Sequence, residues 1–192
     1  FLIRHMHPVQ DSDFSIEGLE TAYNADLANG IGNLLSRSLT MIERNSEGKI
    51  KVVPTDEPAA AAVREKFTEV AESFEKLMTE YEFSQAYLKL WEAVGTLDRY
   101  INEQKPWALA KDPAARAQLE TVLYVLAEGL RMIASFLWPV MPATAEEIWG
   151  RLGMSAKPLD VAWADHKRWG LVTDGQSVNK GEALFPRLEK QE

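Results

Sequence analysis

Cysteine is absent from the 192 residues, which removes disulfides, thiolate zinc sites and a cysteine nucleophile in one step. The same absence points to a reducing, cytoplasmic setting. Histidine is nearly as scarce, with only His5, His7 and His166. None of them stands three positions after a Glu, so the Glu-x-x-His pairs of di-iron bundles are missing. A Ser or Thr nucleophile has no recognisable histidine base either, and His5 and His7 read as ordinary surface or packing residues. There is no Walker A loop and no complete G-x-G-x-x-G run; Gly30-Ile31-Gly32 supplies two of those glycines inside a helical pattern. Carboxylates such as Glu72, Glu75 and Glu80 fall on helix faces expected to be solvated. The sequence carries no catalytic constellation, and no metal site is expected.

Long apolar runs are also lacking. The longest uncharged run, Met132 to Ala145, contains Pro139 and Pro142 and is too short to span a bilayer. Phe1-Leu2-Ile3-Arg4-His5 is charged too early for a signal peptide. Because the sequence opens on Phe1 rather than Met, it is expected to be an excised piece of a longer protein. Basic residues number 21 against 29 acidic ones, giving a net charge of -8 and a pI near 5.0. Non-specific nucleic-acid affinity comes from neutralising phosphates with Lys and Arg, so any RNA must meet a local site on an acidic body.

What is present is helical periodicity. Ser15 is placed to cap a helix in which Leu19, Tyr23, Leu27, Ile31, Leu34, Leu35 and Ile42 recur on one stripe, up to the Asn45-Ser46-Glu47-Gly48 turn. Lys49 to Pro54 reads as an extended crossing. Glu57-Pro58 opens a second helix, Ser84 is expected to cap a third, and Asp112-Pro113 restarts the chain as a fourth that Pro139 ends. Thr144 with Glu147 has the spacing of a capping box for a fifth, closed by Gly153. Beyond Met154 the periodicity is lost, and Trp163, Trp169, Leu171, Leu184 and Phe185 suggest an irregular tail anchored by aromatics. The expectation is an all-α antiparallel helix bundle, with residues 1–14 as the end of a preceding region, 15–153 as the helical domain and 154–192 as a tail packed on it.

Two polar features fall outside this core pattern. Asn33 and Arg37 stand four residues apart on one helix face, about 90° to 130° from the centre of the apolar stripe at about 100° per residue. No acid lies three or four residues from Arg37, so its partner must come from another helix or from outside. Gly30 and Gly32 each cost about 1 kcal/mol relative to Ala in a helix interior, which fits either close helix packing or the approach of a ligand. The second feature is Lys105-Pro106-Trp107-Ala108-Leu109-Ala110-Lys111. Here Trp107 either plugs the end of the bundle or offers its indole to a base, with the lysines favouring phosphate. Asn, Arg and Trp are side chains suited to an unpaired base.

At these residues the sequence resembles the anticodon-binding region of the methionyl-tRNA synthetase family. The matching pieces are Phe1-Leu2-Ile3-Arg4, Asp11-Ser12-Asp13-Phe14-Ser15, Tyr23 to Asn29, Gly32 to Arg37, Pro106 to Lys111, Met141 to Ala145, Ile148-Trp149 and Leu184-Phe185-Pro186-Arg187. The family usually has Gly where Ser12 stands. The resemblance implies that Asn33, Arg37 and Trp107 read a tRNA(Met) anticodon loop, with Trp107 stacking on the cytosine of CAU and the other two hydrogen-bonding to the loop. It also implies that residues 11–15 close the stem-contact fold, and that ATP and methionine are handled by a catalytic domain in the same chain. That domain's H-I-G-H and K-M-S-K-S signatures are absent here, so the piece alone is expected to be inactive, without a cofactor and without a membrane partner. Two other readings stay open. One is the equivalent bundle of another class I synthetase, for Leu, Ile, Val or Cys; the other is a helical protein-interaction module whose tail aromatics dock a partner.

Overall fold

The computed structural model describes residues 1–5 and 13–189; His7 and the Asp11-Ser12 piece lie outside them. The chain runs through α1 (Leu2–His5), α2 (Ile16–Ala22), α3 (Asn33–Asn45), α4 (Pro58–Thr79), α5 (Phe83–Gln104), α6 (Pro106–Leu109), α7 (Arg116–Leu137), α8 (Pro142–Arg151) and α9 (Trp163–Lys167). No strand forms among the described residues; Lys49 and Ser177 make one isolated antiparallel bridge. The fold is an all-α helix bundle.

The core sits around α7. Every residue of α7 from Val122 to Leu137 is buried, because α3, α4, α5, α8 and α9 all pack against this helix. Large side chains from several elements meet there, among them Phe67, Phe74, Phe136, Trp149 and Leu39, each worth about 1.5–3 kcal/mol when removed from water.

The expected first helix is one continuous rod, and Ser15 caps it by accepting a hydrogen bond from the Gly18 N–H at 3.0 Å. Its middle is not α-helical: Tyr23–Gly32 forms a π-helix between α2 and α3. This explains the two glycines. A Cβ on Gly32 would lie 2.9 Å from the Leu27 carbonyl, and one on Gly30 would lie 3.3 Å from that of Ala25. Each of these carbonyls is five residues back, where the wider π turn brings its acceptors.

Two of the other helix starts follow expectation and two do not. Glu57 caps α4 through both carboxylate oxygens, and Asp112 caps a 3-10 turn, Pro113–Ala115, that leads into α7. Ser84 does not cap α5, which begins a residue earlier; its hydroxyl donates to the Arg4 carbonyl at 3.0 Å instead. Thr144 does not cap α8 either, because Pro142 supplies a preset φ and the helix starts there without a side-chain cap.

The tail is held by polar as well as aromatic contacts. Trp163 and Lys167 both donate to Glu75 of α4, the first at 2.9 Å. The Arg151 guanidinium reaches the Lys180 carbonyl at 2.8 Å. Asn24 then clasps the backbone of Leu188 with two 2.9 Å bonds, one donated and one accepted, and the Phe185 ring meets Tyr23 edge-on.

Candidate nucleic-acid interface

Asn33 and Arg37 occupy the first turns of α3, directly after the π segment, and Asn33 is exposed. Trp107 is presented by different means. Lys105 adopts a left-handed conformation (φ 47°) between α5 and α6, which costs a non-glycine residue roughly 1–3 kcal/mol. Pro106 is buried and fixes the start of α6, while Trp107 stays 42% exposed. The indole is thus too exposed for a buried plug of the bundle end, whereas the proline before it is buried.

Arg37 and Trp107 converge. The guanidinium carbon lies 5.7 Å from the centroid of the indole ring, within cation–π range. Asn33 stands one turn before Arg37 on the same helix and is exposed. The cavity of about 370 Å³ beneath α1, lined by Phe1, Tyr23, Tyr87 and Trp91 among others, includes none of the three.

Arg37 does have an acid partner, supplied by α5. Its Nη1 donates to Asp98 Oδ1 at 3.2 Å and its Nη2 to Asn102 Oδ1 at 2.6 Å, while Asn102 Nδ2 donates to Asp98 Oδ2 at 3.1 Å. These three bonds close a ring. Two of the five guanidinium N–H groups are engaged in it, and the others remain able to donate to an acceptor on a ligand. Asp98 and Asn102 were not singled out by sequence reasoning, although they repeat the four-residue spacing of Asn33 and Arg37 just ahead of the Lys105-Pro106-Trp107 run.

A second polar cluster lies deep in the bundle. Arg131 and Glu128 form a fully buried ion pair on α7. Arg131 also donates to the carbonyls of His166 and Arg168 at 2.7 and 2.6 Å, and Glu128 accepts the backbone N–H of Val172 at 2.9 Å. His166 bridges Ser135 and the Pro158 carbonyl, both at 2.9 Å. Burial holds its pKa below the ordinary value, against the opposing hydrogen bond to Pro158. Each of these groups is tied to tail backbone or to its neighbour, so the cluster is a latch and not a reaction centre. Among the described residues no group of three or more His, Cys, Asp and Glu is placed to hold a metal ion, and no helix is long and apolar enough to cross a membrane.

An exposed indole beside a guanidinium is a pair of groups on which unpaired bases can stack, and the comparison with known proteins names the family. Residues 61–184 match the anticodon-binding domain of tRNA ligase, and the chain belongs to that family. The relatives it matches include methionine–tRNA ligases. The chain is 35% identical over 189 residues to the methionine–tRNA ligase of Fusobacterium nucleatum, covering 98% of this chain and 30% of that protein. It is 39% identical over 196 residues to the methionine–tRNA ligase of Bacillus subtilis, covering 100% of this chain and 29% of that one. The apo form of Mycobacterium tuberculosis methionyl-tRNA synthetase superposes with a TM-score of 0.90 at 31% identity, over 100% of this chain and 38% of that chain. The chain thus spans about a third of the length of the relatives it matches.

These relatives favour methionine over the Leu, Ile, Val and Cys readings. The interaction-module reading loses its main feature, because Trp163 and Trp169 pack against the core and Phe185 lies against Gly32 and Tyr23.

Proposed function

We propose that this chain reads the CAU anticodon of tRNA(Met) on behalf of a methionine–tRNA ligase. Asn33 and Arg37 hydrogen-bond to the loop, and Trp107 stacks on the anticodon cytosine. The catalytic work of the whole protein, joining methionine to its tRNA at the expense of ATP, belongs to a domain outside these residues. One relative of known structure was solved bound by methionyl-adenylate, which fits that division. The setting in this reading is the cytoplasm, and residues 1–14 are the end of the preceding stem-contact region.

The observation that carries the reading is the approach of Arg37 to Trp107. Two segments far apart in sequence bring a donor set and a stacking surface side by side, at two of the three positions to which the family resemblance assigns base reading. The experiment is a titration of the chain with anticodon stem-loops, followed by tryptophan fluorescence. A CAU loop is expected to bind more tightly than a loop whose cytosine is replaced, and equal affinities would overturn the assignment.

A further inference from the structure

We infer that Asp98 is a positioning residue for base recognition: it sets the pose of Arg37 without touching the RNA itself. The inference rests on the anticodon reading above and adds to it the residue that orients its arginine.

An arginine on a helix surface has many rotamers, and its guanidinium reads a base edge only when held in one of them. Asp98 Oδ1 takes Nη1 at 3.2 Å and Asn102 Oδ1 takes Nη2 at 2.6 Å, so the fork is fixed at two nitrogens from α5. Asn102 could equally present its NH₂ group to Arg37, where donor would face donor. Asp98 Oδ2 prevents this by accepting from Asn102 Nδ2 at 3.1 Å, which turns the amide oxygen toward the guanidinium. A carboxylate is required at 98 because the position must accept twice. The resulting pose places the guanidinium over the Trp107 ring at 5.7 Å. The Arg37 and Asp98 side chains are 30% and 47% exposed, so simple charge pairing adds little stability at this site. Its effect is geometric.

Asp98→Asn is isosteric yet supplies only one acceptor, so the ring cannot close. It is expected to reduce the preference for CAU over the cytosine-replaced loop by about tenfold, the usual scale of a charged hydrogen bond, while leaving the melting temperature nearly unchanged. In an Arg37→Gln background the same Asp98→Asn change is expected to alter discrimination no further, since a residue that acts through Arg37 has nothing left to position. Asp98→Ala serves as the second variant, read by the same titration. Wild-type chain that shows no CAU preference would defeat the anticodon reading. Wild-type preference that survives Asp98→Asn, or a full Asp98 effect that persists without Arg37, would overturn the positioning role alone.

Discussion

Two tryptophans and one buried ion pair show how the same residue type takes on different work. Trp149 is 1% exposed and belongs to the core, whereas Trp107 is 42% exposed and stands beside Arg37. Replacing Trp107 by Ala should therefore weaken CAU loop binding by about 1–3 kcal/mol, the range for loss of a base-stacking aromatic, with little change in the urea midpoint. A large loss of stability with unchanged affinity would return Trp107 to packing. Arg131 predicts the reverse pattern. Arg131→Met leaves the Glu128 carboxylate buried without its partner and strips two tail carbonyls of a donor, a cost of about 3–5 kcal/mol. Urea unfolding should show that loss, while the chain that remains folded keeps its CAU preference. Pattern alone marks Asn33, Arg37 and Trp107 only as residues off the apolar stripe or after a Pro, and their proposed base-reading role comes from the family resemblance; what the fold adds is the approach of Arg37 to Trp107. Glu128 and Arg131 stayed hidden because an acid and a base three apart on a helix look like an ordinary surface pair. Nothing local reveals that tail backbone will close over them.

At the level of elements, the rod from Ile16 to Asn45 was readable as a helix but not as a partly π one. Periodicity at about 3.6 residues and the wider π turn bury overlapping sets of side chains over ten residues, so the apolar stripe alone does not separate them. The glycines were the available signal. Gly32 meets the Leu27 carbonyl on one side and Phe185 of the tail, 3.4 Å from its would-be Cβ, on the other. Gly32→Ala is thus expected to destabilise the chain by about 1–3 kcal/mol through overpacking, and to loosen the Phe185 contact that covers the rod. Gly150 in α8 is the matching control, because a Cβ there meets nothing within 4 Å. Gly150→Ala should stabilise by about 0.4–1 kcal/mol through the lower entropy of the unfolded chain. Thermal or urea melts of the two variants should move in opposite directions. Capping shows the same division: Ser15, Glu57 and Asp112 act as local chemistry dictates, whereas Ser84 is drawn away to Arg4 by a contact that only the assembled fold creates.

Across the whole molecule, the irregular tail is what completes the bundle, and its attachment is expected to depend on pH. His166 is buried between Ser135 of α7 and the Pro158 carbonyl, with the Arg131 guanidinium opposing its protonation and Asp165 favouring it. Burial is the largest influence and depresses its pKa in the folded state. Unfolded, the imidazole titrates near its usual value of about 6.5. As pH falls through about 6.5 the unfolded chain gains a proton that the folded chain refuses, so unfolding becomes easier; the slope is at most about 1.4 kcal/mol per pH unit for a single site. Glu75, Glu92 and Glu120 have lowered pKa values because lysines donate to them. Their stabilisation is fully present above about 4.5 and is lost only at more acidic pH. The interval between about pH 6.5 and 5 should accordingly report mainly on the histidine. Urea unfolding at pH 7.5, 6.5 and 5.5 is expected to show falling stability in the wild-type chain. His166→Gln, which cannot titrate, should be less stable at pH 7.5 and should show a flatter dependence over this range. An unchanged slope in that variant would remove His166 as the origin, and with it the view that the tail is latched to α7 through a neutral imidazole.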